Sequence, residues 1–176
     1  TPDGGYFVPF RMPKFSYEEM ACMKKSTPGE AIAKLLNLFF RLNLTGWDVE
    51  CVIGRSPFQT FAMNRRLFVA EVWHNPEGSW DYMLKSLYGL MIGKKFQRTL
   101  PVGWQKIAII IALLFGLYAS MDDFPASGLD ISVSADDMAE TMAALYAKDL
   151  GLPFDRVICT FTANSAMWDF VNKGIL

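Results

Sequence analysis

Leu129-Asp130-Ile131-Ser132-Val133, a helical stretch carrying Met138, Met142, Leu145 and Tyr146, and then Val157-Ile158-Cys159-Thr160-Phe161 together decide the fold class. The two apolar runs are short and sit beside turn signals, as strands buried in a parallel sheet do. Between them the helical spacing runs from about Asp137 to Leu150, with Gly151 as C-terminal cap and Pro153 closing the segment. Strand, helix and strand make one βαβ unit, whose crossover is expected to be right-handed. The chain is therefore read as α/β.

Outward from this unit, Trp104 to Met121 is apolar nearly all round and predicts a central helix. Its apolar core, Ile107 to Met121, falls short of the roughly 20 residues that cross a bilayer. Further towards the N-terminus, Ser79 opens a helix with Trp80, Met83, Leu84, Leu87, Leu90 and Met91 at helical spacing, ended by Gly93. Phe58–Met63 and Leu67–Trp73 predict a hairpin across Asn64-Arg65. Ser16-x-x-Glu19 and Thr27-Pro28-Gly29-Glu30 are capping boxes that start two more helices, the second presenting Ile32, Leu35, Leu36 and Phe39 on one face. The expected whole is a single domain over 1–176. It has an N-terminal helical segment (1–50), a hairpin plus helix (51–95), a short connection (96–103), and a helix plus βαβ core (104–176).

Composition narrows the function. Seventeen Lys+Arg against eighteen Asp+Glu leave a net charge of -1 without a basic run, so neither nucleic acid nor an anionic membrane is an expected partner. An apolar fraction of 52% with 14% aromatic residues excludes disorder, and is rich enough that either the fold buries an unusual share of itself or a partner covers some apolar surface. The three cysteines, Cys22, Cys51 and Cys159, form no C-x-x-C and have only His74 as a companion. Neither a zinc site nor a disulfide framework is indicated, and a reducing, cytoplasmic setting fits. The opening T-P-D-G-G-Y-F-V-P has no charged region followed by an apolar stretch, so no secretory signal is expected there.

Three stretches resemble threonine synthases, the pyridoxal-phosphate enzymes that convert phosphohomoserine to threonine. Pro2-Asp3-Gly4-Gly5-Tyr6-Phe7-Val8-Pro9 is similar to the family's P-D-G-G-L-Y-V-P start. His74-Asn75-Pro76-Glu77-Gly78-Ser79-Trp80-Asp81-Tyr82 lines up with H-G-P-T-L-A-F-K-D. Val133-Ser134-Ala135-Asp136-Asp137-Met138-Ala139-Glu140 and Tyr146-Ala147-Lys148-Asp149-Leu150-Gly151-Leu152-Pro153 resemble V-P-T-G-N-F-G-N and Y-A-K-K-M-G-L-P. The resemblance implies a partial doubly wound, three-layer core with a mainly parallel sheet.

It also implies which chemistry is lost. The family's Schiff-base lysine falls on Asp81, a carboxylate that cannot form an imine. Lys85 lies about 6 Å further along the same helix, where it reads as an i,i+4 ion-pair partner of Asp81. The glycine-rich phosphate loop falls on Asp136, Asp137, Met138 and Ala139. Two carboxylates about 5 Å from a phosphate would each oppose it by about 3 kcal/mol at an effective dielectric of ~20. Only Phe96 to Gly103 separate Lys95 from Trp104, too short for the roughly 30 residues of a βαβ unit that would build the family's opposite cleft wall.

The expectation is a threonine-synthase-like pseudoenzyme without pyridoxal phosphate and without a metal. Its residual cleft would be formed by His74, Asn75, Ser79, Asp81, Asp136, Asp137 and Asn164. Three roles compete: an oligomeric interaction protein, expected as a homodimer; a small-molecule sensor using that cleft; and an enzyme acting through Lys85 or completing a site with a partner chain. The apolar excess is expected around Trp80, Trp104 and the 107–121 helix, as either a dimer contact or a repacked core.

Overall fold

The computed structural model describes residues 8–9, 11–64, 67–93, 99–121, 128–134, 138–160 and 166–174. Three of its helices begin at the same device. Helix α1 (Tyr17–Lys24) starts at Ser16, whose hydroxyl accepts from the Glu19 N–H at 3.2 Å while the Glu19 carboxylate accepts from the Ser16 N–H at 2.8 Å. Helix α2 (Pro28–Phe40) repeats this with Thr27 and Glu30, and has proline at its first position. Helix α3 (Gly46–Ile53) does so with Thr45 and Asp48. The sequence reading omits α3, because aspartate replaces the Glu or Gln that marks the motif.

Strands β1 (Gln59–Ala62) and β2 (Phe68–Glu71) form the expected hairpin, antiparallel with Phe61 opposite Val69. Helix α4 (Trp80–Met91) starts at the Ser79 cap and is followed by Gly93 at φ 70°, a left-handed position that suits glycine. Helix α5 (Gly103–Ser120), strand β3 (Leu129–Ser134), helix α6 (Met138–Leu150) and strand β4 (Phe154–Thr160) follow, with β3 and β4 parallel as the βαβ reading requires. Helix α7 (Ala166–Lys173), absent from the sequence reading, ends the described chain.

The core is helical. Helix α5 packs against α1, α2, α4 and α6. Phe115 and Ile109 are fully buried beside Ile32, Leu35 and Leu36 of α2, Ile53 of α3, Leu84 and Leu87 of α4, and Ala147 and Leu150 of α6. Each large aliphatic or aromatic side chain so buried contributes about 1.5–3 kcal/mol. Helix α5 alone among the described helices is long and apolar enough to cross a membrane, and eight of its residues are buried. Two close approaches set the helix crossings. A Cβ on Gly29 would meet the Gly46 carbonyl at 2.7 Å, and one on Gly116 would meet Ile32 Cδ1 at 2.7 Å.

The sheets depart from expectation. Among the described residues there are two unjoined two-stranded sheets, and no residue of β3 or β4 is fully buried. Leu129, Ile131 and Val133 alternate with the more exposed Asp130 and Ser132, which is the pattern of a sheet with one covered face rather than two. The ladder shifts between Leu129 and Ile131, setting Asp155 and Arg156 opposite Asp130. There Arg156 donates to both Asp130 oxygens, Nε lying 3.0 Å from Oδ1.

Candidate functional site

The residues singled out by resemblance belong to the β2–α4 connection, and the structure gives them structural duties. Asn75 is 8% exposed and spends its whole amide on the backbone. Its Nδ2 donates to the Val72 and Ser79 carbonyls at 3.2 and 3.0 Å, and its Oδ1 accepts from the Glu77 and Ser79 N–H groups at 3.3 and 3.2 Å. Ser79 Oγ accepts from the Tyr82 N–H at 3.0 Å as the cap of α4. His74 Nε2 stands 2.7 Å from Glu71 Oε2, with the Trp73 ring beside it. Asp81 is exposed in the first turn of α4, where its charge suits the helix dipole. The expected Asp81–Lys85 ion pair is not among the ion pairs of the described residues. Asp136, Asp137 and Asn164 lie outside the described residues, as do Pro2 to Phe7, Arg65, and Asp122-Asp123.

The concavity lies one residue away. A cavity of about 520 Å³ opens between the hairpin, α5 and β3, and of the connection only Val72 and Trp80 reach it. Thr60 and Leu67, Phe68 and Ala70 form its hairpin wall. Ile110, Leu114, Leu117 and Tyr118 form its α5 wall, and Phe154 and Glu140 close the far side. All six residues of β3, which among the described residues pairs only with β4, line it. The wall is thus mainly apolar, with hydroxyls at Thr60, Ser132, Ser134 and Tyr118 and carboxylates at Asp130 and Glu140. This size and character are those of small-molecule sites.

Electrostatics fix what the polar groups can do. Hydrogen bonds from Arg156 hold the Asp130 carboxyl below the usual aspartate range, so it is ionised and already paired. Burial raises the Tyr118 phenol above its ordinary value, aided by Tyr17, which keeps it a protonated donor. Among the described residues no lysine, arginine or histidine lines the cavity, and no three His, Cys, Asp or Glu side chains come together as a metal-ligand set. Pyridoxal phosphate does not fit these residues: Lys85 is not on the wall, and the described ionisable groups that are there oppose a phosphate.

Sequence reasoning missed this wall. Its polar members alternate along β3, a signal that was visible, but nothing local says that the hairpin and α5 stand opposite this strand. The three cysteines are free, with Cys22 and Cys51 exposed and Cys159 half-buried. No family model, curated protein or solved structure matches the chain.

Proposed function

We propose that this chain is a non-catalytic, cytoplasmic small-molecule-binding protein, built as a shortened threonine-synthase-like α/β fold in which part of a doubly wound core is retained. The observation that carries the reading is the 520 Å³ mainly apolar cavity along β3, furnished with hydrogen-bonding groups and lined, among the described residues, by no lysine, arginine or histidine. Asp81, standing where the resembled family has its lysine, supports the loss of chemistry, and the parallel β3–α6–β4 unit supports the ancestry. The same reading has two copies associate through the apolar outer face of the hairpin, where Phe61 and Val69 are paired and exposed.

Thermal-shift screening against apolar metabolites, amino acids and phosphorylated amino acids tests the binding role. A shift from an apolar class is expected, and no shift from any of them overturns it. An absorbance scan with added pyridoxal phosphate, before and after borohydride, tests the loss of catalysis. A reducible internal-aldimine band would overturn that part.

A further inference from the structure

Resting on the binding role just proposed, we infer that the cavity takes an uncharged, largely hydrocarbon molecule bearing a hydroxyl or carbonyl group, and that the Thr60 hydroxyl meets that group. Charge is the first selector. Among the described lining residues the carboxylates are Asp130 and Glu140, and neither is left over for a ligand. Asp130 accepts from the Arg156 guanidinium through both of its oxygens. Glu140 has an interaction of its own within the protein, as do Ser134 and Tyr118. A ligand cation therefore finds no unmatched carboxylate, and a ligand anion finds no lysine, arginine or histidine on the described wall. Either charge would leave water, without a partner, for surroundings that are mainly aliphatic and aromatic carbon, which disfavours it steeply.

Two positive features do not alter this. The partial positive charge at the start of α6 is offset by Glu140 in its first turn. Lys24, from α1, donates to the Tyr118 carbonyl at 2.9 Å and is not on the wall. Thr60 is the second selector. It lies half-buried on β1, opposite Ala70 of β2, and both residues line the cavity. Its companions on the hairpin wall are Leu67, Phe68 and Ala70, so among the described residues its hydroxyl is the single polar side-chain group there. That hydroxyl enters none of the hydrogen bonds among the described residues. A hydroxyl both donates and accepts, so it suits a ligand hydroxyl or a carbonyl oxygen equally. Ser132 on β3 is exposed, and water competes for its hydroxyl. Ile110, Leu114 and Leu117 of the α5 wall receive the hydrocarbon body.

Four ligands of nearly one shape test both selectors: pentylbenzene, 4-phenylbutanol, 4-phenylbutylamine and 4-phenylbutyrate, each titrated against Nile red bound to the full chain. The alcohol should bind about tenfold tighter than either the amine or the carboxylate. Thr60→Val keeps the branched shape that suits a strand and removes the hydroxyl. It should weaken the alcohol about fivefold and leave pentylbenzene unchanged. Leu114→Trp and Ala70→Phe, which fill the cavity from two different walls, should each weaken Nile red binding, with circular dichroism reporting the intact fold. An amine or a carboxylate as tight as the alcohol overturns the selection against charge and leaves the binding role standing. An alcohol whose affinity is unmoved by Thr60→Val overturns the assignment to Thr60. Failure of all four ligands, with Nile red binding indifferent to both filling variants, overturns the binding role itself.

Discussion

Asn75 shows how a polar residue that invites a functional reading can be wholly structural. Its amide replaces backbone partners that the β2–α4 connection cannot supply for itself, and it does so where water is largely excluded. Asn75→Ala leaves the Ser79 carbonyl and N–H without these partners and is expected to destabilise the fold by about 1–3 kcal/mol. Urea unfolding followed by circular dichroism measures it; an unchanged midpoint would refute the account. Gly116 is the complementary case, a position where the absence of a side chain is the requirement. Gly116→Val must displace Ile32 or Phe58, at a cost of about 1–3 kcal/mol on the same assay. Local sequence could not distinguish these roles from binding. A histidine, an asparagine and a serine around a proline look alike whether they face a ligand or each other.

Among the elements, those whose signals are local were legible and those defined by distant contacts were not. Ser16, Thr27 and Ser79 announce their helices, Asn64 marks the hairpin turn, and the βαβ order yields the parallel pairing of β3 and β4. The cavity wall draws on β1, β2, α4, α5, β3, α6 and β4, so no window of sequence contains it. The capping acids also carry a pH prediction. Hydrogen bonds from Thr45 hold the Asp48 carboxyl below its ordinary value, those from Ser16 do the same for Glu19, and those from Arg156 for Asp130. A depressed carboxyl favours the fold in its ionised form. That contribution is complete above the ordinary carboxylate pKa of about 4 and is lost as pH falls through the lower folded value. The thermal midpoint should therefore hold from neutral pH to about pH 5 and then decline. Asp48→Asn should make the decline shallower, and an identical acid limb in the variant would count against the cap.

For the molecule as a whole, the apolar groups expected around Trp80, Trp104 and the 107–121 helix, as a dimer contact or a repacked core, lie in or against the core. Trp104 is packed edge-on to Phe39 and Tyr146, at 5.4 and 5.9 Å between ring centroids, and Trp80 joins the core and the cavity wall. Exposed apolar groups include Phe61, Met63, Leu67, Val69 and Trp73 on and beside the hairpin, with Tyr17, Trp47, Val102 and Trp168 among those elsewhere. A two-stranded ribbon is marginal alone in water, so one with apolar groups on both faces gains most from being covered twice. Light scattering after size exclusion at micromolar concentration should give a dimer mass, and paired Phe61→Lys and Val69→Lys substitutions should return it to the monomer. A monomeric parent chain would refute the association.

The bond from Lys24 to the Tyr118 carbonyl spans 94 positions of sequence, and the α2–α5 contact that anchors the core spans nearly as many. Ribosomes add about 5–20 residues per second, so α1 and α2 emerge about 5–20 seconds before the helix that covers them. Throughout that interval Ile32, Leu35 and Leu36 have no native cover from α5, and the newborn chain offers its stickiest face to whatever is nearby. The arrangement that gives the finished protein its core therefore leaves that face of α2 without its α5 cover until synthesis has reached residue 120.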